Sequence, residues 1–388
     1  MDKKYYSYKK EISLESFVFP IVLIGIFVLF AGIMGLANAL NTMMNTAYSL
    51  LIDTVLYITA ICVLMGALSE LLSEFGFVVL VNKLLSPLMK PLYNLPGVAA
   101  LGIITAFLSD NPAVLVLSEN HHFRKYFKKY QLPALTNLGT SFGMGLIVCT
   151  YIYSLSAVMD QSLGKAIVIG LIGAGIGSVI SVRMMLHFSR KYFKEEADEY
   201  LEATQEENAP VYMRLVRTGG ISSRAISALL EGGKSGVRLG VSTIPGVLIV
   251  CTFVLMLING PSANGSYTGA AYEGIRLLPY VANKLDFIIN PLFGFSTPEA
   301  IGVPVTSLGA AGASISLINN LVSLGLVNQN DIAVFTAMCV CWSGFLSTHA
   351  SMLDSMNYNE LIGKATLSHA IGGFLAGVFA HLLFMIVG

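Results

Sequence analysis

Long apolar runs dominate this chain, and short polar stretches separate them. The runs at about 17–40, 48–72, 131–156, 163–187, 239–260, 331–350 and 363–387 can each cross a bilayer as a helix, a crossing that takes about 20 residues. Two further apolar stretches, about 91–118 and 286–325, are interrupted by Pro, Gly and polar residues. They predict pairs of short helices, re-entrant or discontinuous, because non-helical backbone at membrane depth must be buried in protein or line a cavity. The pattern predicts an all-α polytopic membrane protein.

Composition agrees. Of 388 residues, 55% are hydrophobic and 12% charged, against about 25% charged in soluble domains. Mean hydropathy is +0.71. The 23 basic and 23 acidic residues balance, which gives no nucleic-acid surface. The five cysteines lie in apolar runs without zinc-ligand spacing, so packed free thiols and no metal site are expected. The first apolar run is too long for a cleavable signal core.

Basic residues set the orientation. Four lie in 1–16, four more (Arg124, Lys125, Lys128, Lys129) near 119–130, and nine between Arg183 and Arg238, which is 17 of 23. The intervening segments 41–47, 157–162 and 326–331, read as loops, have none. The positive-inside rule then places the N-terminus in the cytoplasm of a cell-membrane protein, with 91–118 re-entrant. The stretch 188–220 reads as a charged cytoplasmic linker. Arg224, Glu231, Lys234 and Arg238 follow on one helical face, opposite Ile226, Leu229, Leu230 and Val237. That pattern predicts an amphipathic helix lying in the interface.

The chain resembles itself at a shift of about 200 residues. Asn82-Lys83-Leu84 recurs as Asn283-Lys284-Leu285, and Pro91-Leu92-Tyr93 as Pro291-Leu292-Phe293. Ala100, Gly102, Leu108, Thr136 and Leu146 meet Ala300, Gly302, Leu308, Thr336 and Leu346. An ordered series at nearly constant offset indicates duplication. The charge pattern makes the first span of each copy run in opposite directions, so two inverted structural repeats with re-entrant or broken helices are expected. That is a design of secondary transporters. Four regions follow: 1–47, tail and first helix; 48–187, first repeat with following helices; 188–238, linker and amphipathic helix; 239–388, second repeat.

Polar residues inside these apolar stretches are the candidate site. Asp110 and Asn111 stand in the break Ser109-Asp110-Asn111-Pro112, where they can cap the next short helix or bind a cation. Glu299 follows Pro298 in a helical first turn, where the dipole favours a carboxylate. Thr306 and Asn319 lie downstream. Asn137 and Ser141 share one face of the span near 131–156, and Ser343 occupies the matching place in the second copy. His349 and Asp354 are expected near a solvated inner end. No enzyme signature emerges. Gly233-Lys234-Ser235 lacks the upstream glycine of a phosphate loop, and Ser343 with His349 or His369 lacks an oriented third group.

The Asn-Lys-Leu and Pro-Leu-aromatic blocks, the Ser-Asp-Asn-Pro break, and Ala228-Leu229-Leu230-Glu231-Gly232-Gly233-Lys234-Ser235-Gly236 before Pro245 carry a resemblance. The chain resembles membrane proteins with the nucleoside-recognition, or gate, domain, which is distantly similar to concentrative nucleoside transporters. The resemblance implies a transporter-like fold over about 50–380. Ser296-Thr297-Pro298-Glu299-Ala300 echoes the transporters' binding motif without its glutamine. The expected function is cation-coupled secondary transport of a small polar solute, a nucleoside being one candidate. Na+ or H+ is the coupling ion, and a homo-oligomer in the lipid bilayer is the expected assembly. The alternative is a non-transporting membrane component that recruits a protein partner, like spore-maturation gate proteins.

Overall fold

The computed structural model describes residues 10–388, except 110–113, 115–120, 125, 202–215, 263 and 310. Among them it is all helical apart from one isolated bridge between Lys128 and Tyr200. Six helical segments are long and apolar enough to cross a membrane, and one bent pair raises this to seven. The protein is a multi-pass membrane protein.

Helix α1 (Glu15–Met34) ends at Gly35, whose φ of 81° breaks the expected 17–40 span. The segment 41–47 is no loop. It lies within α2 (Leu36–Ser49), which runs through a π-helical turn, Leu50–Val55, into α3 (Leu56–Glu74). The polar residues that suggested a loop face a second polar segment. Asn38 and Asn45 donate to the carbonyls of Tyr267 and Gly269, and Thr46 Oγ1 accepts from the Tyr272 amide.

The interrupted stretch after α4 (Phe77–Tyr93) turns by 111° into Gly97–Leu108, whose last nine residues form α5 (Ala100–Leu108). The expected spans 131–156 and 331–350 are each broken. The first divides into α6 (Ala134–Thr140) and α7 (Gly145–Ser154). Between them lies α8 (Gly164–Phe193), then α9 (Ile221–Ser242) and α10 (Thr252–Ile258), joined through a second π turn, Gly246–Cys251. Next come α11 (Leu277–Lys284), α12 (Asp286–Phe293), α13 (Gly302–Ser307) and α14 (Ala311–Ser323). The second broken span is α15 (Gln329–Trp342) and α16 (Phe345–Ser355), followed by α17 (Ile362–Val387).

Similar backbone features recur about 200 residues apart. Asn94 and Gly294 end α4 and α12 with φ of 55° and 59°. Short 3-10 turns, Gly97–Ala99 and Pro298–Ile301, then lead into α5 and α13. Met144 and Gly344, both left-handed, introduce α7 and α16.

Helix α9 corrects the interfacial expectation. It packs lengthwise on α3, and its buried side is the small-residue stripe Ala228, Gly232, Gly236 and Gly240. A Cβ at Gly236 would stand 2.2 Å from the Cys62 carbonyl oxygen. Lipid gives helices no hydrophobic reason to pair, so backbone approach over small residues holds them. Ile226, Leu229, Leu230 and Val237 consequently face outward. The helix is the first half of a 38-residue candidate span, Ile221–Ile258.

Ion pairs tie the segments flanking 202–215 to this frame. Lys129 pairs with Glu196 (2.8 Å) and Glu199 (2.7 Å). Glu196 first, and Glu199 second, hold the Lys129 ammonium above its usual range. Arg217 contacts Glu70, Glu74 and Glu231 at 2.6–2.8 Å, and Arg224 contacts Glu74 at 2.7 Å. Arg217→Gln is expected to lower the melting temperature by about 2–4 °C at low salt. The difference shrinks at high salt as screening weakens the wild-type cluster. Thermal unfolding in detergent at two salt concentrations checks this, and a salt-independent difference would contradict it.

Candidate functional site

The two broken spans meet at their breaks. Gly143 and Gly145 leave no helix-favouring residue through 143–145 except Met144, which sits at φ 57°. In the second broken span Ser343 and Gly344 are both left-handed, at φ 39° and 72°. Ser343 Oγ donates to the Gly143 carbonyl at 2.9 Å, so each break is tied to the other. The Gly344 amide donates to the Ser307 carbonyl at 3.2 Å, which brings in the end of α13. On the other side, a Cβ at Gly145 would meet the Phe107 ring at 2.2 Å, and one at Gly139 would meet Val114 at 2.3 Å. Helix α5 therefore presses on the first break, and the α13–α14 hairpin on the second.

Asn137 is fully buried and fully engaged. Its amide donates to Ser181 Oγ (2.9 Å) and the Ala365 carbonyl (3.1 Å), and its Oδ1 accepts from Thr136 Oγ1 (3.2 Å). Ser141 Oγ donates to the Asn137 carbonyl at 2.7 Å, and Thr306 Oγ1 to the Gly302 carbonyl at 2.8 Å. Beside Ser141, the buried Thr140 Oγ1 has no hydrogen-bond partner among the described residues. Glu299, at the entry to α13, pairs with the exposed Arg276 at 2.6 Å. Asn319 is half-buried on α14, next to Asn320, whose buried Oδ1 lacks a partner among the described residues. Asp110 and Asn111 lie outside the described residues. The structure thus gathers Asn137, Ser141 and Ser343 around the crossing, while Glu299 lies at the hairpin entry.

Two features escaped the sequence reading. Asp331 accepts from the Ser296 amide (3.0 Å), the Ser296 hydroxyl and the Asn328 amide (2.7 Å). It pins the start of the second hairpin to the first turn of α15. Its capping box, Asn328 with Asp331, was the available signal. The second is a pair of histidines. His349 and Asp354 are not solvated: they are 0% and 8% exposed. His369, from α17, packs its ring 4.6 Å from that of His349.

No family model matches the chain, and no curated protein does. Solved structures match. CNTnw in an inward-facing, substrate-bound state aligns with a TM-score of 0.52 at 13% identity, over 86% of this chain and 76% of that one. A doubly substituted, outward-facing CNTnw aligns with a TM-score of 0.52 at 14% identity, over 96% of this chain and 83% of that one. CNTnw is a concentrative nucleoside transporter. At this identity the likeness is one of fold.

Proposed function

We propose that the protein is a secondary active transporter of a small polar solute, a nucleoside being the first candidate, coupled to a cation. The observation that carries this is the crossing of the two broken helices, held by Ser343 and Gly143 at positions 200 residues apart. Interrupted helices present unpaired amides and carbonyls to a solute or ion at the bilayer midplane. The unpartnered Thr140 hydroxyl supports a polar occupant there. Two inverted repeats let the halves exchange conformations, which opens the site to each side in turn. The fold shared with CNTnw supports the same reading, as does the resemblance to gate-domain proteins. Asp110, Asn111, Asn137, Ser141, Glu299, Thr306, Asn319 and Ser343 are the pathway residues of this reading, and the positively charged N-terminus is cytoplasmic.

Thermal stability against nucleosides, nucleobases, amino acids and dicarboxylates tests it, with and without sodium and across pH. A ligand at about 100 times its dissociation constant adds about 2.7 kcal/mol to the folded state. Uptake in proteoliposomes follows for any solute that shifts the transition. Asp110→Asn and Glu299→Gln are expected to abolish that uptake while leaving folded protein. Wild-type uptake in both would remove these two residues from the pathway.

A further inference from the structure

Of the two buried histidines, His369 stands in a hydrogen-bonded chain whose direction can be read from its acceptors, and His349 packs its ring beside it. The Asn137 amide donates to Ser181 Oγ, so the Ser181 hydroxyl is free to donate onward to His369 Nδ1, 3.0 Å away. His369 Nε2 lies 2.7 Å from the Cys341 carbonyl, which only accepts. His369 therefore carries a hydrogen on Nε2, and the Ser181 hydroxyl can supply the one that Nδ1 accepts. His349 Nδ1 lies 3.0 Å from the Phe345 carbonyl, again an acceptor, so its hydrogen is on Nδ1. That leaves His349 Nε2 as a bare base. It is buried, and no hydrogen-bond partner among the described residues reaches it. A buried polar atom without a partner is costly, and one ionisable inside a membrane protein is usually functional.

Among the described residues few charges compete for this atom. Helix α6 has no ionisable side chain, and neither has α5. Helix α8 contributes Ser181, while its Arg183 and His187 are exposed. Helix α15 contributes the Cys341 carbonyl, with the Cys339 and Cys341 thiols buried. Lys364 on α17 and Glu360 before it are exposed, and Asp354 is buried five residues along α16. The ring that faces His349 is His369, and Phe345 packs against both.

We infer that His349 Nε2 is a proton-binding site of the transport cycle, and that the coupling ion is a proton. The inference rests on the transporter reading above. Protonation adds a hydrogen to Nε2 and one positive charge to a dry pocket already facing a second imidazole. The charged form needs an acceptor that this arrangement lacks, so α16 must shift against α17 to provide one. A proton taken from water on one side and returned to water on the other then drives that shift. His369 positions the site, because its own nitrogens are occupied.

The test uses His349→Asn, whose amide can keep the bond to the Phe345 carbonyl while removing Nε2. Radiolabelled uridine is followed in proteoliposomes in two assays. Across a gradient of one pH unit, with the membrane potential clamped at zero and one proton carried per uridine, wild type is expected to accumulate uridine about tenfold. The variant should only equilibrate it, yet retain uridine counterflow without a gradient. Gradient-driven accumulation by the variant, or accumulation by wild type that follows sodium alone, would overturn the proton site. Absence of wild-type counterflow counts against the uridine reading alone. Nitrogen-15 NMR of histidine-labelled wild-type protein then decides the site by itself, even where the variant does not fold. The expected spectrum has a bare Nε2 on His349 at neutral pH that takes up a proton on acidification. A ring that carries hydrogen on Nε2 from the start, or never titrates while the protein stays folded, refutes the inference.

Discussion

Gly177→Val is expected to eliminate folded, monodisperse protein, whereas Gly175→Val is expected to behave as wild type. The two glycines lie two residues apart on α8 but face different surroundings. A Cβ at Gly177 would stand 2.4 Å from the Gly372 carbonyl oxygen and 2.6 Å from the Ala376 methyl, both on α17. One at Gly175 meets nothing within 4 Å. Overpacking an adjustable core costs about 1–3 kcal/mol, occasionally more. Here the obstruction is backbone, and α17 answers with its own glycine, since a Cβ at Gly372 would stand 2.6 Å from the Gly177 carbonyl. The helices must part along their length, which also pulls Ser181 from His369. Size-exclusion profiles and melting temperatures of the two variants check this. Equal behaviour would contradict the close α8–α17 contact.

Asn137→Leu, close to isosteric, is expected to lose solute uptake by tenfold or more and to destabilise the protein. It removes the donor to Ser181 and to the Ala365 carbonyl and leaves the Thr136 hydroxyl without its second acceptor. A buried group left unsatisfied costs about 1–3 kcal/mol. Ser181 would then turn its hydroxyl freely, and the direction of the chain into His369 would be lost. Unfolding and uptake measured on the same preparation separate the effects. Wild-type stability in the variant would contradict the bonding described for Asn137.

The interruptions within 91–118 and 286–325 were legible in the sequence because Gly, Pro and polar residues disturb an apolar background in a local way. The breaks at Gly143-Met144-Gly145 and Ser343-Gly344 were missed, because a window of span length runs smoothly over them. At the offset of 200 read from the sequence, Asn94 and Gly294 both end their helices left-handed. What failed was pairing between distant segments. Asn38 and Tyr267 are 229 residues apart, and Ser181 and His369 are 188 apart. Without the partner, a polar face on α2 reads as a loop, and His349 near a helix end reads as solvated. Helix α9 misled differently. Its charged and apolar faces gave an amphipathic pattern, but the small residues between them decide which side is buried.

The two π turns, Leu50–Val55 and Gly246–Cys251, lie against one another where their spans meet. A π turn closes its hydrogen bonds one residue later than an α turn, so each accommodates one residue beyond regular α geometry. The two turns start 196 positions apart in the sequence, yet each brings its surplus residue to the same seam. Deleting one residue from either turn would rotate the rest of that helix by about 100° and carry the contact face off its neighbour.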